Sequence, residues 1–327
     1  MPERIRRILP FALTIVLVVA GLAVEWGVYR LRLPGPMKDE KIILVPRGAA
    51  PASVARLLAG EGVIGGRRLF MLAIRLGGSA RGLKAGEFRF PAHASLARVI
   101  AILKGGETVA HWLTVAEGLT SAQVVDLLRG EPALSGPLTA IPAEGSLLPE
   151  TYRFALGDSR QALLGRMKEG MRRVLDDLWQ GRAASVPLAG PREALILASI
   201  VEKETALPGE RRHIAGVFLN RLARHMRLQS DPTVAYAVGG GRPLDRPLSR
   251  KDLKVDSPFN TYLVRGLPPT PISNPGRLSL AAVVDPLPTD DLYFVADGSG
   301  GHAFAASHRK HLENVRRWRR LQKGKGG

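Results

Sequence analysis

Sixteen consecutive residues near the N-terminus, Leu9 to Val24 (LPFALTIVLVVAGLAV), carry no charge. Glu25 interrupts the run, and Trp26, Gly27, Val28 and Tyr29 extend it. At 1.5 Å per residue, about twenty such residues cross a ~30 Å hydrocarbon core. The expectation is therefore a transmembrane anchor over residues 9–29, with Trp26 and Tyr29 at an interface. Arg4, Arg6 and Arg7 precede the run and place residues 1–8 in the cytoplasm by the positive-inside rule, while Arg30 and Arg32 weaken that asymmetry. A cleaved signal peptide is the alternative. No small-x-small cleavage site with a polar start follows, so an uncleaved anchor is preferred. On either reading the bulk of the chain is exported.

Export narrows what the charge means. Lys and Arg outnumber Asp and Glu by 47 to 29, giving +18 over 327 residues. Such a charge calls for an anionic partner: nucleic acid, anionic lipid or a wall polymer. An exported chain leaves nucleic acid out. The absence of cysteine excludes disulfides, thiolate metal sites and a Cys nucleophile, without assigning a compartment.

Residues 30–40 hold two prolines, a glycine and charges, and read as a tether. Next, 41–105 reads as strand (41–46), helix (52–58), helix (67–76), strand (83–90) and helix (96–103), a small α/β unit with no motif that carries chemistry. The larger remainder, 106–323, mixes strand candidates at 111–115 and 292–296 with helices at 121–128 (capped by Ser121), 161–180, 192–205, 210–224 and 233–238. The 130–145 stretch reads as loop, and the 292–296 strand as buried. The 309–325 tail carries eight Lys/Arg and one Glu. The fold class expected is α+β, with two globular parts behind the anchor.

The 192–205 helix is apolar nearly all round and so is expected to be buried. It ends in Val201-Glu202-Lys203-Glu204-Thr205, with Pro208-Gly209 just beyond. At 100° per residue the two glutamates lie about 200° apart and cannot share one pocket. Glu204 continues the stripe of Leu197, Ile200 and Val201. The negative end of the helix dipole and partial burial both favour its protonated form, which suits a general acid. A solvated helix end, its carboxylates paired with Lys203, Arg211 or Arg212, explains the same residues.

Gln229 and Asp231 could bind sugar hydroxyls, or Ser230 and Asp231 could simply cap the next helix. A third cluster, Ser257 to Tyr262, includes Asn260 and leads into proline-rich loops that either wall a cleft or link elements. There is no G-x-S-x-G elbow or Walker-A loop. His302, His308 and His311 lack the carboxylate help and spacing of a metal site. Neither a metal nor a cofactor is expected.

Taken together, ILASIVEKET (196–205), VFLNRL (217–222), MRLQSDPTVAYA (226–237), SPFNTYLVRGLPPTPISNPG (257–276), LYFVADGSGGHAFAASH (292–308) and EGSLLPETYRF (144–154) resemble the endolytic murein transglycosylase, or YceG-like, family. Each motif alone is weak; six in order are specific. The resemblance implies a single-pass protein of the inner membrane with a periplasmic catalytic domain, a LysM-like subdomain over 41–105, and peptidoglycan glycan strands as substrate. Peptidoglycan synthases are possible neighbours. It implies Glu204 as the acid and base, Glu202 in support, and Gln229, Asp231, Asn260 and Tyr262 as substrate-binding candidates. Such an enzyme cuts the MurNAc–GlcNAc β-1,4 bond, leaves a 1,6-anhydro-MurNAc end and limits strand elongation. The chain departs from the family pattern at Ser146 and Leu148, where an aromatic pair is usual, which puts sugar stacking there in doubt. A non-catalytic wall-binding or division scaffold is the alternative.

Overall fold

The computed structural model describes residues 3–78, 82–106 and 108–324. Met1, Pro2 and the tail's Lys325 lie outside them, as do the side chains of Arg4, Arg6 and Arg7. The architecture is mixed α and β, mainly helical, with four small two-stranded sheets among the described residues. Two compact units divide the chain: 1–111 with 155–157, and 112–154 with 158–327.

In the first unit, helix α1 (Glu3–Arg32) contains the apolar run. Its Leu13–Arg32 stretch is long and apolar enough to cross a membrane, and none of it is buried against the protein. An N-terminal apolar helix of this kind fits a single-pass anchor.

Strand β1 (Lys41–Val45) is followed by α2 (Pro51–Gly60), α3 (Arg67–Leu76), β2 (Gly86–Phe90) and α4 (Leu96–Gly105). β1 and β2 pair antiparallel, with Ile43 opposite Phe88. Strand alternation turns Ile43, Val45, Phe88 and Phe90 inward, where Val54, Leu58, Phe70, Ile74, Val99 and Leu103 from the three helices close the core. The Ser95 hydroxyl caps α4 by accepting from the Arg98 amide, and Gly106 ends it in the left-handed region.

The second unit is organised around one helix. After β3 (His111–Thr114) come α5 (Ser121–Gly130), β4 (Leu134–Ser135), β5 (Thr151–Phe154), β6 (Asp158–Ser159) and α6 (Arg160–Gln180). β3 pairs with β5, and β4 lies parallel to β6. The central helix α7 (Pro191–Glu204) begins with proline at its first turn and touches α6, α8 (Arg211–Ala223), α9 (Asp231–Gly239) and α10 (Arg277–Val284). Ile196, Leu197, Ile200 and Val201 are buried on its different sides. Each side chain removed from water contributes roughly 1.5–3 kcal/mol. Neighbours on four sides explain why no polar face was legible.

β7 (Tyr293–Ala296) and β8 (His302–Ala305) form an antiparallel ribbon that α11 (His308–Gly324) covers.

Several local expectations need correction. The cap of α5 is Thr120, not Ser121: Thr120 accepts from the Gln123 amide while Gln123 reaches back to the Thr120 amide. The 292–296 strand is only half-buried, because its ribbon has two strands and lies at the surface. Two residues of the 130–145 loop form β4.

Asn274 joins distant segments of this unit and is fully buried. Its Oδ1 accepts from the Leu147 amide at 2.9 Å, and its Nδ2 donates to the Leu119 carbonyl at 3.0 Å and to Ser121 Oγ at 3.2 Å. Backbone bonds tie the same residue to Gly118 and Leu119. Truncation removes the partners of buried groups on two segments, 119–121 and 147, which costs about 2–4 kcal/mol. Asn274→Ala is expected to lower the urea midpoint of the full chain in detergent accordingly, followed by tryptophan fluorescence; a midpoint equal to wild type would refute the joining role.

Candidate active site

The last turn of α7 sends its two glutamates apart. Glu202 turns inward and retains 5% side-chain exposure. Its Oε1 accepts from Arg211 Nη2 at 3.2 Å, and its Oε2 accepts from the Gly276 amide at 2.8 Å. Arg211, 7% exposed, also donates to Ser279 Oγ at 3.0 Å and reaches Glu117 at 3.4 Å. Gly276 leaves room for Glu117: a Cβ at that position would push its carboxyl aside. Burial raises the Glu117 pKa, the Glu202 charge adds to the rise, and Arg211 opposes it.

Glu204 faces the other way. Ser230 Oγ donates to its Oε1 at 2.5 Å, and among the described residues it has no salt bridge. Burial pushes its pKa up to about 7, and the nearby Asp231 charge adds to the rise. The Ser230 bond and the positive fields of His302 and Arg221 pull the other way. The group is thus a carboxyl that holds a proton near neutral pH, with one oxygen engaged by a hydroxyl and the other left to carry the proton.

Two loops hold this arrangement. The first, before α9, contains Gln229 with φ of +51°, an unusual conformation for a residue with a side chain. Its amide donates to the Thr261 carbonyl at 3.1 Å, and the next amide, Ser230, donates to Thr261 Oγ1 at 3.0 Å. Thr233 Oγ1 donates to the Ser230 carbonyl at 2.7 Å. These bonds fix Ser230 at the N-cap position of α9, but its hydroxyl serves Glu204 and caps nothing. Arg221, buried in α8, clamps the same loop by donating to the Leu228 carbonyl at 2.6 Å, and donates to the Leu292 carbonyl at 2.6 Å.

The second loop runs through 257–262. Asn260 is fully buried, with its Nδ2 on the Leu253 and Val255 carbonyls and its Oδ1 on the Tyr262 amide. Its amide is fully engaged within the loop, so the expectation that it orients sugar hydroxyls gives way to a scaffolding role. Tyr262 donates its hydroxyl to Asp231 Oδ1 at 2.6 Å, and burial together with that carboxylate raises its pKa.

Of the residues singled out in the sequence, Glu204, Asp231 and Tyr262 converge, with the Gln229 backbone in the adjoining loop and its side chain exposed. Glu202 belongs instead to the Arg211 cluster. Leu148 lies in the core against Gly170 of α6, and Ser146 Oγ donates to the Ala143 carbonyl at 2.6 Å. Sequence reasoning named Arg211 as a partner for the helix-end carboxylates, which Glu202 bears out, but passed over Glu117 and Arg221. An arginine inside a largely apolar helical motif (VFLNRL) was the available signal for Arg221. It also passed over Glu144, which accepts from the Ser121 amide at 2.7 Å and the Tyr236 hydroxyl at 3.3 Å, and whose pKa burial raises.

His302 contacts Glu210 through Nδ1 at 2.7 Å, and His308 and His311 flank the Tyr293 ring. Beside Asp231 opens a cavity of about 490 Å³ bounded by α5, α9 and the 241–248 loop.

Known proteins share this chain's pattern. An endolytic murein transglycosylase of Bacillus subtilis is 31% identical over 313 residues, 84% of each chain. A protein of the same name from Streptococcus pneumoniae strain R6 is 36% identical over 178 residues, 53% of this chain but 31% of its own length. The crystal structure of a yceG-like protein from Listeria monocytogenes superposes with a TM-score of 0.52 at 28% identity, covering 84% of this chain and 98% of that one. Residues 43–317 match the YceG-like family, and that span includes both carboxylates of the α7 terminus and both loops that frame Glu204. By extent of match and by full-length similarity, the chain belongs to the YceG-like family.

Proposed function

We propose that this protein is a membrane-anchored lytic transglycosylase that cuts peptidoglycan glycan strands internally, with Glu204 as its acid and base. The observation that carries the reading is the setting of the Glu204 carboxyl: half-buried, held by Ser230, and without a salt bridge among the described residues, so that burial raises its pKa to about 7. The relatives' shared name supplies the substrate class.

Glu204 donates its proton to the oxygen joining MurNAc C1 to GlcNAc O4. The C1–O4 bond breaks, and the new carboxylate and the Asp231 charge stabilise the oxocarbenium-like centre. Glu204 then takes the proton of the MurNAc C6 hydroxyl as O6 bonds to C1, which closes a 1,6-anhydro ring. The proton count balances and no water is consumed. Ser230 steadies the Glu204 carboxyl throughout, and Tyr262 fixes Asp231. Glu202 keeps the Arg211 cation away from Glu204. In this reading 106–323 is the catalytic domain and 41–105 a LysM-like module that binds or positions glycan. Residues 9–29 anchor the chain in the inner membrane, with 1–8 cytoplasmic and the catalytic domain periplasmic, near the synthases whose strands it shortens.

Asp231 beside Glu204 also favours a second outcome. Two carboxylates at one bond are the equipment of a hydrolase, which would leave reducing ends. The full-length protein is expected to release anhydro-ended fragments from sacculi, scored by mass spectrometry. Glu204→Gln is expected to lower the rate about 10²–10⁴-fold without loss of fold. Reducing ends would replace the transglycosylase by a hydrolase, and binding without new ends would replace both by a wall-binding scaffold.

The same carboxyl sets the pH dependence. As a general acid Glu204 works when protonated, so kcat/KM is expected to fall as pH rises through about 7. Stability moves in the same sense. In the unfolded chain the group ionises at its ordinary value of 4.5, so its stabilising contribution is complete below 4.5 and is lost as pH rises through about 7. Glu204→Gln lacks that loss, and is expected to exceed wild type by up to about 3 kcal/mol more at pH 8 than at pH 4. Parallel denaturation curves at the two pH values check it.

A further inference from the structure

The cavity beside Asp231 is chemically unlike a sugar site. Its wall is apolar, formed by Leu119, Pro232, Tyr236, Leu244, Leu248 and Ile272. The polar groups on that wall are already engaged with one another. Thr120 and Gln123 close the capping box of α5, and the Tyr236 hydroxyl donates to Glu144. Little is left to receive the ring of hydroxyls that a saccharide presents.

The ionic groups are engaged too, with one exception. Arg246 is held bidentate by Asp252 at 2.6 and 3.0 Å, Arg242 shares Asp126 at 3.6 Å, and Glu117 faces Arg211. Lys203 differs. Its stem lies across Gly118, whose φ of +76° and missing side chain leave room for it, and among the described residues its ammonium bonds to the Gly118 carbonyl alone, at 3.3 Å. The cation on this wall that has no carboxylate partner among the described residues therefore stands one residue from Glu204, on the same helical turn.

We propose that this cavity is a subsite for the acidic peptide that branches from the muramic acid at the scissile bond. The proposal rests on the reading of Glu204 as a glycan-cleaving acid. The glycan carries, on the lactyl ether of alternate sugars, a short peptide of small apolar residues and free carboxylates. Apolar wall plus an unpaired ammonium match that composition. Asp231 lies at both places, next to Glu204 and on the cavity wall, so the bond and its branch are served from one side. Lys203 pairs with a peptide carboxylate, and the apolar wall covers the aliphatic side chains.

The test compares uncrosslinked strands that keep their peptides with the same strands stripped of peptide by an amidase. Full-length wild type in detergent is expected to show a KM about tenfold lower for peptide-bearing strands. Lys203→Ala is expected to bring the ratio of the two KM values close to one, Lys203→Glu to invert it, and Lys203→Arg to keep it. Equal KM values in wild type, or an undiminished ratio in Lys203→Ala, would overturn the subsite. Binding of both labelled strands to full-length Glu204→Gln, by fluorescence anisotropy, gives the same ratio without turnover. If neither strand is cut by wild type but peptide-bearing strands bind more tightly through Lys203, the catalytic reading fails and the subsite stands. If strands are cut and peptide makes no difference to binding, the subsite alone fails.

Discussion

The ion pair between Glu202 and Arg211 determines what the end of α7 can do. Two carboxylates at the C-terminus of a buried helix meet both the negative dipole end and a low-dielectric surround. Arg211 resolves this for Glu202 alone, because it reaches from α8 to the side of α7 that Glu202 faces, with Ser279 and the Gly276 amide completing the set. Helical rotation puts Glu204 on the other side, where that guanidinium does not bond it. One carboxylate is neutralised by pairing and the other by holding a proton. Breaking the pair would leave a buried charge uncompensated, the costly way to lose a buried salt bridge.

What surrounds Glu204 is short and polar: Ser230, Thr233, Thr261, Asn260 and, farther off, Asn274. Each is buried, and each is bonded to backbone or to another buried polar side chain, Ser230 also to Glu204 itself. This is how irregular loops are held inside a protein without sheet or helix, since every buried donor needs a partner. The strained backbone of Gln229 is a consequence. Its amide and that of Ser230 both aim at Thr261, and the left-handed turn is the conformation that allows it. The geometry that presents the Ser230 hydroxyl to Glu204 is thus set by residues that never approach a substrate.

Much of this was legible. The period of the apolar residues located α3, α4 and α6 to α8 within a residue or two, because each buries a stripe or is buried throughout. The separation of Glu202 from Glu204 followed from helical rotation, and in the structure the two carboxylates bond different partners. Other features depended on partners far away in sequence. The eight residues of α10 are too few for a periodic signal, and only contact with α6, α7 and α8 makes them a core element. Thr120 and Ser121 are equally good caps by type, and the Gln three residues after Thr120 was the clue that separated them. Asn260 had the right chemistry for a sugar ligand, but its backbone partners, Leu253 and Val255, are chosen by the loop's path.

A carboxyl with a pKa near 7 could arise from burial alone, but the setting of Glu204 is more specific. Its carboxyl lies close enough to Asp231 to feel that charge, and close enough to Arg221 and His302 to be partly relieved. Asp231 is exposed and anchored by Tyr262, so its charge sits on the cavity side of Glu204; Arg221 is buried on the protein side, tied to carbonyls. The acid thus feels both a buried cation and an exposed anion. That pairing favours release of a proton toward the anion, and then favours a positive centre forming in front of the carboxylate that remains. A glycosidic bond placed there needs both in succession, first the proton on its oxygen and then a negative surround for its carbon. In the proposed reading, the pairing of a buried cation with an exposed anion about Glu204, more than the height of any single pKa, suits this helix end to breaking a sugar–sugar bond.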